Sequence, residues 1–209
     1  MKIKICEIFE SIQGESSFAG FPFFFIRISG CNLRCSYCDS VYAYEQGREI
    51  KIERIIEKAS LSWINNILLT GGEPLYAKNI YALINGLIET RKKILIETNG
   101  SILIDRIPQQ VIKILDFKTP SSGMAKYNEF KNINYLNFDD EVKFVISDFN
   151  DFQWSCNIIE KYDLFNRINN IIFSPVTDKL ASNQLAHWIL GEKINARLQL
   201  QLHKYINMK

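Results

Sequence analysis

What most restricts the fold of this chain is a rhythm of short apolar runs, each stopping at a polar loop, with helically patterned stretches between them. Phe23-Phe24-Phe25-Ile26-Arg27-Ile28 leads into Cys31, Ile67-Leu68-Leu69-Thr70 into Gly71-Gly72-Glu73-Pro74, and Ile94-Leu95-Ile96 into Glu97-Thr98-Asn99-Gly100. Ile112 to Phe117, Val142 to Ile146, Ile171 to Phe173 and Leu198 to Leu202 continue the series. Between runs, Ile52, Ile55, Ile56 and Ala59, then Ile80, Leu83, Ile84 and Leu87, make the one-sided stripe of a helix. Further helical stretches are expected around 125–135, 150–164 and 179–190. Strands separated by crossovers imply a parallel sheet in right-handed βαβ units, here with roughly six strands. Periodicity does not separate an open doubly wound sheet from a partial barrel. Both put the site beyond the strand C-termini, so the loops after Ile28, Thr70, Glu97, Phe117 and Phe173 define one rim. Ahead of the series, Lys2 to Phe9 alternates like a half-buried strand and Ser11 to Ser17 reads as a loop. No fixed-period repeat or linker interrupts the pattern, so residues 1–209 are expected to form a single domain.

The first rim loop carries Cys31, Cys35 and Cys38 at the spacing C-x3-C-x2-C. Thiolates so close together suit iron–sulfur clusters or zinc. A structural zinc site would need a second Cys or His pair, and Cys6, Cys156, His187 and His203 stand isolated. A disulfide framework is disfavoured by five cysteines, an odd number, without a secretory apolar segment. The reading left is a three-cysteine cluster whose fourth iron awaits a ligand that is not protein. Cys6 and Cys156 read as small buried hydrophobes.

Composition narrows the class further. The 209 residues are 47% hydrophobic and 12% aromatic, enough for one sizeable core. Twenty-five Lys and Arg against 23 Asp and Glu leave a net charge of +2, which is no footprint of a nucleic-acid binder. No apolar run reaches the ~18 residues of a membrane span, and a cytoplasmic location is expected. No G-x-G-x-x-G follows the first strand, which argues against a dinucleotide fold.

The cysteine loop resembles the cluster signature of the radical S-adenosylmethionine (SAM) superfamily, where SAM chelates the fourth iron. Gly71-Gly72-Glu73-Pro74 alone would pass for a plain turn, but one strand later it is similar to the motif that grips the methionine end of SAM. Paired glycines let a ligand approach the backbone, and the Glu73 carboxylate can hold an ammonium. Several segments then occur in order: Gln13-Gly14-Glu15, Arg27, Cys38-Asp39-Ser40, Thr70 to Pro74, Glu97 to Gly100, Asp116 to Gly123 and Gln201-Leu202-His203-Lys204. Together they resemble the 7-carboxy-7-deazaguanine synthase family over nearly the whole chain. The resemblance implies a reduced, incomplete TIM-type barrel, usually a homodimer. It also implies conversion of 6-carboxy-5,6,7,8-tetrahydropterin to 7-carboxy-7-deazaguanine with loss of ammonia, a step toward queuosine. The same resemblance implies a [4Fe-4S] cluster, SAM, Mg²⁺ and a reductant such as flavodoxin or ferredoxin. The implied course is SAM cleavage, hydrogen abstraction from C6 and magnesium-assisted ring contraction. A glycyl-radical activase and a non-enzymatic metal-binding protein are the competing readings.

Residue by residue, the resemblance assigns Cys31, Cys35 and Cys38 to the cluster and Ser40 to magnesium. SAM falls to Tyr37, Cys38, Asp39, Gly72, Glu73, Lys118, Thr119, Ser121, Ser174, Pro175, Val176 and Thr177. Substrate falls to Ile12, Gln13, Gly14, Glu15, Arg27, Thr70, His203 and the C-terminal Lys209. The residue types allow other roles at several positions. Tyr37 also suits packing, Ser40 a helix N-cap, and His203 a satisfied histidine near a core strand. Ser-rich loops such as 119–122 commonly serve as turns. Arg27 shares a strand face with Phe23 and Phe25, where a lone guanidinium is costly, so it needs the substrate carboxylate, unless it lies on an edge strand or pairs with Glu15. Gln13 and Glu15 match the amide and amine edge of a pterin, and Thr70 adds a hydroxyl. At Ser40 many relatives carry Thr; serine keeps the oxygen ligand without the stiff χ1.

Overall fold

The computed structural model describes residues 1–208, so the expected substrate residue Lys209 lies outside the described residues. The strands are β1 (Lys2–Ile12), β2 (Pro22–Ile28), β3 (Arg48–Lys51), β4 (Asn66–Gly71), β5 (Lys93–Thr98), β6 (Ile112–Phe117), β7 (Glu141–Ile146), β8 (Asn170–Pro175) and β9 (Arg197–Leu198). They form one sheet in the order β3-β1-β2-β4-β5-β6-β7-β8-β9. β1 pairs antiparallel with β2 and β3, and every pairing from β2 to β9 is parallel. The helices are α1 (Ile52–Leu61), α2 (Ile80–Ile88), α3 (Phe149–Lys161), α4 (Ser182–Gly191) and the short α5 (Leu202–Tyr205). None of the described helices is long and apolar enough to cross a membrane.

Parallel strands buried on both faces explain the near-continuous apolar runs. The outer residues Ile26, Ile28, Ile67, Leu69, Ile94, Ile96, Leu115 and Phe117 share a core with helix residues such as Ile55, Leu83 and Phe152. The opposite face gathers a smaller core, Phe23, Phe25, Leu68, Leu95 and Ile114, on which Phe9, Phe18 and Ile112 pack. The rings of Phe9 and Phe25 stack with centroids 4.8 Å apart. Side chains alternate along a strand, so the residues two further on point the same way. Phe25, Leu68, Leu95, Ile114 and Glu141 are therefore followed on the inner face by Arg27, Thr70, Glu97, Asp116 and Lys143. The sheet is a partial barrel, with an apolar floor and a charged layer above it. Its open side is spanned by side chains: Ser16 N donates to Gln199 Oε1 and Gln199 Nε2 to Ser16 O, both at 2.9 Å, while Ser17 donates to Glu141.

Three local expectations are corrected. Ser11 and Ile12 belong to β1, since they pair with Phe23 and Pro22. The strand expected over Leu198–Leu202 stops at Leu198: Gln199 N still reaches Phe173 O, but Leu202 N turns to Gly14 O and α5 begins. Residues 125–135 form 3-10 turns at Ala125–Tyr127 and Phe130–Tyr135. Side chains take over the backbone there. Asn128 bonds both N and O of Lys118, and Asn132 bonds Gly100 O, Ile102 O and Ile104 N. Cys6 and Cys156 are half-buried. Cys156 packs on the outer core, and burial pushes its thiol up to about 11.

Candidate active site

A cavity of about 670 Å³ opens at the C-terminal rim of the parallel strands and runs down to the apolar floor. The three predicted thiols stand together along one side. Cys31, Cys35 and Cys38 all line it, half-buried and unbridged. Leu33 N donates to Cys31 Sγ at 3.4 Å and Asn99 Nδ2 at 3.8 Å, while Ser40 Oγ lies 3.8 Å from Cys38 Sγ. Burial raises the thiols of Cys31 and Cys35, so deprotonation is left to metal ligation. Among the described residues no three His, Cys, Asp or Glu side chains lie close enough to hold a single metal ion. Three free, soft donors of one loop lining one cavity fit an iron–sulfur cluster rather than a single ion.

The glycines of the second loop line the cavity and also have a local packing task. A Cβ on Gly71, whose φ is +142°, would sit 2.1 Å from Ile28 O, and one on Gly72 would sit 2.2 Å from Gly30 O and 2.8 Å from Cys31 Cβ. They let this loop lie directly against the start of the cysteine loop, with Gly72 N donating to Ile28 O and Glu73 N to Gly30 O. Glu73 does not line the cavity. It is wholly buried, accepts from Leu75 N at 3.0 Å, Thr98 Oγ1 at 2.8 Å and Asn99 N at 2.6 Å, and burial pushes its carboxyl up to about 7.

Of the other residues expected to meet SAM, Tyr37, Asp39, Gly72, Lys118, Ser174, Pro175, Val176 and Thr177 line the cavity. Thr119 and Ser121 do not. Thr119 is buried, donating to Val145 O at 2.8 Å with the Tyr37 hydroxyl 3.1 Å away. Ser121 is held by Asp151 and Asp148 at the start of α3. Burial pushes the Tyr37 phenol up to about 12. Ser40 takes the N-cap position of a 3-10 turn, Val41–Tyr44, without making a capping bond, which leaves its hydroxyl to the cavity.

All the described residues expected at the substrate, Ile12, Gln13, Gly14, Glu15, Arg27, Thr70 and His203, line the same cavity. Gln13 Oε1 accepts from Glu15 N at 3.2 Å. A Cβ on Gly14 would come within 2.0 Å of His203 Nδ1, so glycine there lets α5 close over the β1–β2 loop. Arg27 pairs with Glu7, its cross-strand neighbour, at 2.8 Å, rather than with Glu15, and its guanidinium lies 5.8 Å from both the Phe9 and Tyr42 rings.

Sequence reasoning missed the partner of Glu15. Lys143 Nζ sits 2.6 Å from Glu15 Oε2, 2.8 Å from Glu97 Oε1 and 3.7 Å from Asp116 Oδ2. The available signal was a lysine alternating with apolar residues in Val142–Ile146, the same pattern that exposed Arg27. Burial would raise Glu15, but Lys143 and Gln201 outweigh it and the carboxyl is lowered. Burial likewise opposes the Lys143 charge, and Glu15, Glu97 and Asp116 lift it well above the usual lysine range. Asp116 also pairs with Lys118 at 2.9 Å, and its Oδ1 is buried without a partner.

A partial barrel with three cysteines of one loop facing a cavity beneath a glycine-lined second loop defines the radical SAM class, and the profile of the radical SAM superfamily matches residues 25–162. Its members hold a [4Fe-4S] cluster and SAM. More narrowly, the chain is 37% identical to a 7-carboxy-7-deazaguanine synthase of Koribacter versatilis, covering 98% of this chain and 96% of that one. It is 39% identical to that of Chlorobaculum tepidum, over 98% and 94% of the two chains. The chain belongs to the 7-carboxy-7-deazaguanine synthase family. Its fold is similar to that of QueE from Escherichia coli, with a TM-score of 0.81 at 20% identity over 97% of this chain and 95% of that one. It is also similar to Streptococcus suis SuiB bound to its precursor peptide SuiA, with a TM-score of 0.61 at 14% identity over 85% and 48% of the two chains.

Proposed function

We infer that this chain converts 6-carboxy-5,6,7,8-tetrahydropterin to 7-carboxy-7-deazaguanine with loss of ammonia, in the cytoplasmic route to queuosine. The observation that carries the reading is a single cavity lined both by three free thiols and by Arg27, Gln13, Glu15 and Thr70. Cys31, Cys35 and Cys38 would hold the cluster, which with SAM would supply hydrogen-atom abstraction at carbon. The chain itself binds and orients. Arg27, backed by Glu7, receives the substrate carboxylate, for which a planar guanidinium is the matched donor. Gln13, Glu15 and Thr70 take the polar edge of the ring, and Phe25 and Leu68 beneath keep water from its face. Ser40, with Asp39 beside it, would offer an oxygen ligand to a magnesium ion. Tyr37 to Asp39, Gly72, Lys118 and Ser174 to Thr177 form the SAM side. The enzyme works as a homodimer and takes electrons from flavodoxin or ferredoxin.

Anaerobic reconstitution followed by incubation with the carboxypterin, SAM, Mg²⁺ and dithionite tests this. The expected products are 5′-deoxyadenosine and 7-carboxy-7-deazaguanine. Deoxyadenosine without the deazaguanine would sink the substrate assignment. Omission of magnesium is expected to slow formation of the deazapurine.

A further inference from the structure

The densest charge cluster in the cavity is built around a residue to which the proposed reaction gives no task. Lys143 stands in the middle of β7, and its ammonium bridges Glu15 of the β1–β2 loop and Glu97 of β5 at 2.6 and 2.8 Å. Asp116 on β6 is farther off at 3.7 Å and is occupied by Lys118. The second oxygen of each bridged carboxylate takes a neutral donor. Glu15 Oε1 accepts from Gln201 Nε2 at 2.7 Å, and Glu97 Oε2 accepts from Thr70 Oγ1 at 3.2 Å. Each carboxylate oxygen has two acceptor sites, so both groups keep capacity toward the cavity they line.

An ammonium between two carboxylates offsets their mutual repulsion and holds them side by side. It also stops their rotation, because each is pinned at one oxygen by Lys143 and at the other by Gln201 or Thr70. Two fixed, adjacent, anionic acceptors complement neighbouring N–H donors on one ligand edge. A ring that lacks one of the donors leaves an acceptor desolvated and unpaired.

We propose that Lys143 is a positioning residue that sets substrate specificity: it presents Glu15 and Glu97 as a paired acceptor that selects the amino-bearing edge of a pterin over the same ring without its amino group. This rests on the pterin reading above. Arg27 recognises the carboxylate of the ligand, so it contributes to affinity without making this distinction.

The test uses reconstituted, SAM-loaded, unreduced enzyme and compares binding of 6-carboxytetrahydropterin with its 2-deamino analogue by calorimetry. The unsubstituted enzyme is expected to prefer the amino compound by about 30-fold, the size of a charge-assisted hydrogen bond. Lys143→Met is expected to shrink that ratio to about threefold or less while SAM affinity and cluster absorbance hold, and Lys143→Arg to restore part of it. A Lys143→Met enzyme that keeps the full ratio, or that loses SAM and both pterins equally, overturns the proposal. Where Lys143→Met does not fold, Lys143→Gln, which keeps a donor between the carboxylates but no charge, is read the same way. Failure of the unsubstituted enzyme to turn over the carboxypterin would instead strike the functional reading itself.

Discussion

Glu73, behind the cysteine loop, and Glu15, on the cavity wall, are two withdrawn carboxylates held in opposite ways. Glu73 takes its hydrogen bonds from neutral donors, Leu75 N, Thr98 Oγ1 and Asn99 N, with the Lys118 ammonium acting on it without a direct bond, and burial still pushes its carboxyl up to about 7. Glu15 has one strong donor of opposite charge, Lys143, and its carboxyl is lowered despite burial. Hydrogen bonds from dipoles do not by themselves outweigh desolvation here, whereas a full ammonium does. The consequence is a division of labour. Glu73 is a tie between the Gly71–Pro74 loop and the loop after β5, and Glu15 is an anion kept ready at the cavity surface.

Removing the ammonium should break the contrast most severely. Lys143→Met leaves Glu15 and Glu97 facing each other with no cation between them, and is expected to lower stability by about 3 kcal/mol in urea unfolding. An unchanged midpoint would mean that the pair contributes nothing net.

The pH response sharpens the contrast from the other side. Folded Glu73 keeps its proton up to about 7, against 4.5 for the ordinary group, so its share of stability is present below that ordinary value and lost as pH rises through about 7. The difference amounts to about 3 kcal/mol. Glu15 runs the opposite way: its share is present above the ordinary value and lost as pH falls through its lowered one. The stability advantage of the native chain over Glu73→Gln should therefore shrink between pH 5 and pH 8, and a flat line would show Glu73 ionised in the folded state.

Smaller changes probe the tie directly. Gly72→Ala forces a Cβ against Gly30 O and Cys31 Cβ, which is expected to cost about 2 kcal/mol and to lower the iron bound on reconstitution. Full iron content would show that the two loops separate freely. Thr98→Val removes one donor to Glu73 and should cost about 1 kcal/mol, moving the pH midpoint upward. A downward shift would mean that the hydroxyl does not donate to the carboxylate.

Much of this was legible along the chain. Five apolar runs ending in polar loops are a local pattern, and each became a parallel strand feeding the rim, β2, β4, β5, β6 and β8. The cysteine spacing is local as well, and Arg27 betrayed itself as a cation in an apolar strand. The errors share one cause. Asn128 and Asn132 divert the backbone of 125–135 from an α-helix, and Gly14 draws Leu202 out of a strand, through contacts whose partners are 10 to 188 residues away or hidden in another loop. Gly-Gly-Glu-Pro does not reveal that the Glu73 carboxylate is buried against Leu75, Thr98 and Asn99. Lys143 looked like an ordinary strand residue because its partners lie 128 and 46 positions away.

From its order of residues alone this chain determined that parallel strands would deliver polar loops to one rim, and that three thiols would share one of those loops, because hydrophobic period and cysteine spacing act between near neighbours. Only the tertiary structure decided which buried carboxylate meets a cation. That choice depends on the dielectric surroundings and on charges that come together when distant strands close around a common interior.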